Sequence, residues 1–173
     1  MSTVASLIQN GLSAIKLNIL IFGPQVTKLS TNERTLNLQK KRIQIRAELE
    51  KLGHNVKYAE DVVDPNLPSP QNNAFLQEIV IMAEHDLIFN IVDSPGSITE
   101  AALIASKPSL CQKASLFLDS QYLTGLTAES CRHAQYLGAD FNTYNYPEDL
   151  VDCNLLTFVI ERVSKAQLVK LIS

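Results

Sequence analysis

Two hydrophobic periodicities alternate along this chain, and that alternation constrains the fold more than any other feature. LNILIF (17–22) and DLIFNIV (86–92) are short, nearly unbroken apolar runs. The first ends at Gly23-Pro24 and the second at Ser94-Pro95-Gly96. Runs of this length between breakers predict strands buried on both faces. HNVKYA (54–59) alternates apolar and polar residues, SLFLD (115–119) is a further strand, and DFNTYN (140–145) is a weaker one. The segments between them have helical spacing. Val4, Leu7, Ile8, Leu12 and Ile15 share one face of an accessory opening helix, 3–15, weakened by the internal Gly11. Ser30 and Glu33 have the spacing of a capping box and predict a helix from Glu33 to Leu52, closed by Gly53. Its buried face is expected at Leu36, Ile43, Ala47 and Leu49, with Lys40, Lys41, Arg42 and Arg46 on a solvated basic face.

Further helices are expected over Ala74–Glu84, Ser97–Ala105 and Thr127–Leu137, the last closed by Gly138. Pro147 is placed to start a long final helix towards Leu171. The stretch 61–73 holds three prolines and reads as loop. Strand and helix in alternation imply one α/β domain over 1–173. Its expected form is a Rossmann-like three-layer α/β/α sandwich around a mainly parallel sheet of about five strands.

Composition excludes several functions. The formal net charge of −3 removes the basic excess that a nucleic-acid binder uses, so a nucleic-acid polymer is not the expected partner. No apolar run approaches the roughly 20 residues that span a bilayer, and MSTVASLIQNGLSAIK lacks the basic start of a signal peptide. Cys111, Cys131 and Cys153 are odd in number and widely spaced, which suits buried thiols in a reducing, cytoplasmic compartment. Cys131 and His133 make only a two-ligand fragment, and His54 and His85 lie far off, so no metal is expected. There is no G-x-S-x-G, no G-x-x-x-x-G-K-[ST] and no G-x-G-x-x-G, and no organic cofactor is expected. The five tyrosines read as packing or surface groups. The apolar faces of the first and last helices suit either a homo-oligomer interface or the domain's own sheet.

In sheets of this kind ligands bind beyond the carboxyl ends of the strands. Two loops there stand out. Phe22, Gly23, Pro24 and Gln25 follow the first strand; Asp93, Ser94, Gly96 and Ser97 follow the central one. In the second, Gly96 permits close backbone approach, and free N–H groups from Ser97 onward would receive an anion such as phosphate. Glu100 falls one turn further on. A carboxylate beside a sugar C1′ can act as nucleophile or stabilise the oxocarbenium-like transition state of N-glycosidic cleavage. Asp86 and Asp93 bracket the strand and can orient hydroxyls or tune Glu100. Ser97-x-x-Glu100 is equally the capping box of an ordinary helix, and on spacing alone the two readings weigh the same.

GPQV after the first strand, the long basic helix, Glu60-Asp61, and above all D-L-I-F-N-I-V-D-S-P-G-S-I-T-E-A-A resemble the nucleoside 2-deoxyribosyltransferase-like proteins. They are also similar to the wider superfamily of Lonely Guy phosphoribohydrolases and DprA-type nucleotide-binding domains. The Ser-Pro-Gly-Ser form of the turn is most similar to retron-associated deoxyribosyltransferase-like effectors. The resemblance covers about residues 17–118. It implies a small-molecule nucleoside or nucleotide as partner, and Glu100 as catalytic carboxylate assisted by Asp93 or Asp86. It further implies Gly96 and Ser97 on the phosphate or sugar, and Gly23 and Pro24 on the nucleobase side, with Phe22, Gln25, Asp61 and Ser94 lining the same cleft. The alternative is a non-catalytic nucleotide sensor of the same fold. The chain departs from the Lonely Guy pattern, which has a longer Pro-Gly-Gly-x-Gly-Thr run. Deoxyribosyltransferases complete their site from a neighbouring subunit, for which Asn142, Asn145 and Asn154 are the candidates.

Overall fold

The computed structural model describes residues 3–71, 73–151 and 154–173. Five strands, β1 (Asn18–Phe22), β2 (Asn55–Tyr58), β3 (Leu87–Val92), β4 (Ala114–Asp119) and β5 (Asp140–Tyr144), form one sheet in the order β2-β1-β3-β4-β5. Every pairing is parallel, as the alternating pattern requires. The helices are α1 (Val4–Ala14), α2 (Glu33–Lys51), α3 (Ala74–Glu84), α4 (Pro95–Ala105), α5 (Pro108–Cys111), α6 (Leu126–Tyr136), α7 (Glu148–Val151) and α8 (Asn154–Ile172).

Successive strand residues face opposite sides, so β1 and β3 each feed two cores. Leu20, Phe22, Ile88 and Val92 join Met82 of α3, Ala101 and Ile104 of α4 and Cys131 of α6. Ile19, Ile21, Phe89 and Ile91 join Leu38, Ile45 and Leu49 of α2 and Leu155, Val159 and Val163 of α8. The result is the Rossmann-like three-layer sandwich. The order reverses between β1 and β3, and in such sheets the crevice beyond the carboxyl ends of the strands at the reversal receives ligands. Both singled-out loops lie there.

Four local expectations are corrected. Asn32, not Ser30, caps α2, its side chain accepting from the Thr35 N–H. The buried face of α2 is Leu38, Arg42, Ile45 and Leu49; Ile43 and Ala47 are exposed and Leu36 is half-buried. Arg42 is fully buried and Lys41 nearly so, which overturns the solvated basic face. The helix expected from Ser97 starts at Pro95, with Ser94 as its cap. The final helix expected from Pro147 is represented by α7 and α8, and residues 152 and 153 between them lie outside the described residues. α1 lies on α8, where Gln167 Nε2 donates to the Leu12 and Ile15 carbonyls and a Cβ on Gly11 would meet Leu171 at 2.9 Å. Among the described residues no helix is long and apolar enough to cross a membrane.

Candidate functional site

The first wall of the crevice is the loop after β1. Gly23 turns it with φ +145°, and a side chain there would meet Ile91 Cβ at 3.3 Å and the Ile91 carbonyl at 3.4 Å. Glycine is therefore required by both conformation and space. Arg42 reaches up from α2 to hold this loop. Its Nη1 donates to the Pro24 carbonyl (3.1 Å) and its Nη2 to the Ile21 carbonyl. Glu60 receives both Nη groups at 2.7 Å, and its Oε1 also accepts the Val26 N–H at 3.1 Å. The guanidinium lies 4.4 Å from the centre of the Tyr58 ring. A planar fork met by a carboxylate is the strong form of ion pair, and here it ties α2 to both adjacent loops. Gln39 adds a second tie through the carbonyls of Gln25 and Lys28.

The second wall is the turn into α4. Ser94 Oγ accepts the Ser97 N–H, and Ser97 Oγ accepts the N–H groups of Asp93 (2.9 Å) and Ser94 (2.8 Å) while donating to the Ser94 carbonyl. Asn90, buried in β3, donates to the Ser97 carbonyl at 2.9 Å. Ser97 is thus saturated and buried. It braces the turn and is not free to hold a phosphate, contrary to expectation. Pro95 has no N–H, which leaves the Gly96 N–H as the open donor of the first turn.

Ser94 and Ser97 form the capping box, so Glu100 does not cap its helix. It stands in the second turn, half-buried, close enough to Glu78, Arg42 and Glu60 to feel their charges. A Cβ placed on Gly96 would meet only Glu100 Oε1, at 3.9 Å, so the space beside Gly96 is uncrowded. Glu100 Oε2 is buried with no hydrogen-bond partner, and Asn90 Oδ1 is likewise buried and unpartnered. Burial, reinforced by the negative charges of Glu78 on α3 and Glu60, pushes the Glu100 carboxyl up to about 8 against the opposing pull of Arg42. Burial also raises Glu78. The protonated form of Glu100 is thereby favoured near neutral pH.

Two cavities open among the loops and helices at this end of the molecule. One, of about 470 Å³, lies between the proline-rich loop and α3, lined chiefly by Val62, Leu67, Pro70, Leu76, Val80 and Ile81. The other, of about 410 Å³, opens over the ends of β3 and β4 beside Arg34, Asp93, Tyr122 and Thr127. Arg34 donates to Asp93 Oδ1 from Nε (2.9 Å) and Nη2 (2.7 Å), and to the buried Asp119 from Nη1 (2.7 Å). Its guanidinium sits 5.4 Å and 4.6 Å from the ring centres of Tyr122 and Tyr146. Burial disfavours this charge, but hydrogen bonds to Asp119 and Asp93 outweigh it and raise the Arg34 pKa.

The structure brings Gly23, Pro24, Ser94, Gly96, Ser97, Glu100 and Asp93 to one end of the sheet. Asp93 is nevertheless committed to Arg34, and the charges felt by Glu100 are Glu78, Arg42 and Glu60. Phe22 is buried in the core and forms no part of the cleft wall. Gln25 is exposed. Asp61 pairs with Arg46 at 3.0 Å. Asp86 is placed at the opposite end of the sheet, where its carboxylate accepts from Lys170 (2.7 Å) and the Asn18 N–H (2.8 Å). Strand β3 separates it from Glu100, which removes the expected assistance. Asn145 and Asn154 are held by Asp149. Cys131 is buried, its thiol pushed up to about 11 by burial, and Cys111 is buried too; Cys153 lies outside the described residues. His133 is exposed, facing away from Cys131.

Sequence reasoning missed Glu78, Asn90, Arg34 and the role of Arg42. Asn90 was the most visible of these, as the single polar residue inside an otherwise apolar strand. Comparison of the chain with protein-family models gives no match, and comparison with curated proteins gives none either.

Proposed function

We propose that this protein cleaves the N-glycosidic bond of a nucleoside or nucleotide, by hydrolysis or by transfer, with Glu100 as the central carboxylate. The observation that carries the reading is the state of Glu100. It is freed from capping, next to Gly96 at Oε1, buried and unpartnered at Oε2, and pushed up to about 8 by burial. The similarity of the 94–100 turn to deoxyribosyltransferase-like proteins points the same way.

In such a reaction the C1′–N bond breaks with its electron pair going to the base, and a proton is needed there. A carboxyl group with a pKa near 8 is matched to supply it as general acid. Water, or a second base, then forms the new bond at C1′, and the proton it releases restores Glu100. Glu78 and Glu60 place negative charge beside the oxocarbenium-like sugar. The apolar cavity along α3 suits a flat base, and the Gly96 N–H suits an oxygen of the sugar or its phosphate.

The test is base release from nucleosides, nucleoside monophosphates and NAD, followed by chromatography for wild type and Glu100→Gln. Release is expected from wild type, at least a hundredfold slower in the variant, and falling as pH rises through about 8. Equal release by both proteins would sink the reading. A rate that rises through pH 8 would keep Glu100 but make its carboxylate the nucleophile. Thermal stabilisation by a nucleotide without release would leave a binding protein.

A further inference from the structure

Opposite the Glu100 crevice, at the amino ends of the strands, the molecule has a second concavity of different character. A cavity of about 260 Å³ opens between α8 and the starts of β1, β3 and β4. Lys113, Arg162, Lys165 and Lys170 line it together with a single carboxylate, Asp86, over a floor that includes Leu17, Leu87 and Ala166. An adjoining cavity, also about 260 Å³, shares Arg162 and Lys165. That second cavity also carries Asp140 and Glu161, so the excess of cations over carboxylates belongs to the first cavity.

Most of these cations are fixed before any ligand arrives. Lys113 Nζ donates to the Ala83 and His85 carbonyls at 2.7 and 2.8 Å. Lys170 Nζ sits 2.7 Å from Asp86, and Arg162 Nη2 donates to the Gln112 carbonyl at 2.6 Å. Its Nε lies 3.3 Å from Asp140 but is buried without a hydrogen bond. Each keeps further N–H donors beyond these contacts. The carbonyl ends of α3 and α8 account for Lys113 and Lys170, because cations are favoured at helix C-termini. They do not account for Lys165, which stands three positions after Arg162 and four after Glu161 on α8 and, among the described residues, makes no hydrogen bond or ion pair. Arg162 and Lys165 repel each other at that spacing, and an anion between them would offset the repulsion.

We propose that this cavity binds a small anion bearing two or more oxyanion groups, such as a pyrophosphate or a polycarboxylate. The site is independent of Glu100 and lies at the other end of the sheet. Its surface position makes the interaction salt-sensitive.

The test is calorimetric titration of the whole chain with sodium pyrophosphate and, separately, sodium citrate at matched ionic strength. Saturable binding of at least one is expected, and whichever binds more tightly assigns the chemistry as phosphoryl or carboxyl. Lys165→Glu, at an exposed and unpaired position, should weaken binding at least tenfold with an unchanged melting temperature. Lys57→Glu, the same charge change on the exposed side of β2, should leave it within about twofold. Glu100→Gln should bind as wild type. Absence of saturation by either anion at millimolar concentration would overturn the proposal. Equal weakening by the two lysine reversals would do so as well, since it would reduce the effect to net charge.

Discussion

At the scale of single residues, Glu100 has the most consequential environment. Its carboxyl titrates near 8 in the folded protein against an ordinary 4.5, because burial and two nearby carboxylates disfavour the charge. The linkage to stability has a definite sign. Between those values the folded state holds a proton that the unfolded chain releases, so stability falls as pH rises from about 4.5 and levels off above about 8. Glu100→Gln abolishes that titration. Its stability relative to wild type, from urea denaturation across pH, should therefore climb between pH 5 and 8 towards an upper bound of about 5 kcal/mol. A difference that stays flat with pH would show that the folded protein does not hold this proton. Gly96 matters for a related reason. With no Cβ it leaves the space beside Oε1 uncrowded, a property that no spacing rule reveals.

At the scale of elements, α2 carries the clearest lesson. Leu38, Arg42, Ile45 and Leu49 recur at the spacing of one helical stripe, and arginine occupies a place where packing alone would put an aliphatic residue. A charge fully removed from water needs a partner of matched geometry, and Glu60 supplies it. Arg42→Met should accordingly cost about 3–5 kcal/mol, because it strands the Glu60 carboxylate beside Glu100. It should also raise the Glu100 titration further, since Arg42 is the group that lowers it. Adding Glu60→Leu should recover much of the loss, because replacing both partners avoids an unpaired buried charge. A single-variant cost below about 1 kcal/mol, the range of exposed pairs, would show that the loop after β1 is held by other contacts. The start of α4 is instructive in the opposite direction. S-P-G-S contains two serines, and both S-x-x-S and S-x-x-E are capping spacings; Pro95 at the first helical position decides for Ser94.

At the scale of the whole molecule, the loops at the carboxyl ends are fastened together by Arg34. It stands just after the β1 loop, bonds to the ends of β3 and β4 through Asp93 and Asp119, and lies against Tyr146 from the loop after β5. Arg34→Ala should therefore raise amide hydrogen exchange around 93–97, 119–123 and 144–147 together. The amino ends of the same strands should remain protected. Faster exchange confined to the start of α2 would show that these loops are held separately. The same view separates two chemistries: carboxylates and an open glycine at one end of the sheet, an excess of cations at the other.

Strand and helix content, the parallel sheet and the location of the crevice were legible in the residues themselves. Apolar runs as short as 17–22 and 86–92, bounded by breakers, are too brief for a buried helix and fit a buried strand. The turn bearing Gly96 and Glu100 was legible for the same local reason. Which partners those residues meet was not. Glu78 precedes Glu100 by a helix-to-strand crossover, Glu60 faces Arg42 across two elements, and Asp86 and Asp93 lie seven residues apart yet at opposite ends of one strand. An extended strand separates what the sequence places close, and crossovers unite what it places far apart. Local propensity and hydrophobic period therefore determined the layers of this protein. Charge pairing across elements, and with it the proton on Glu100, was decided only by the tertiary structure, because burial and the Coulomb field depend on distances that no single segment contains.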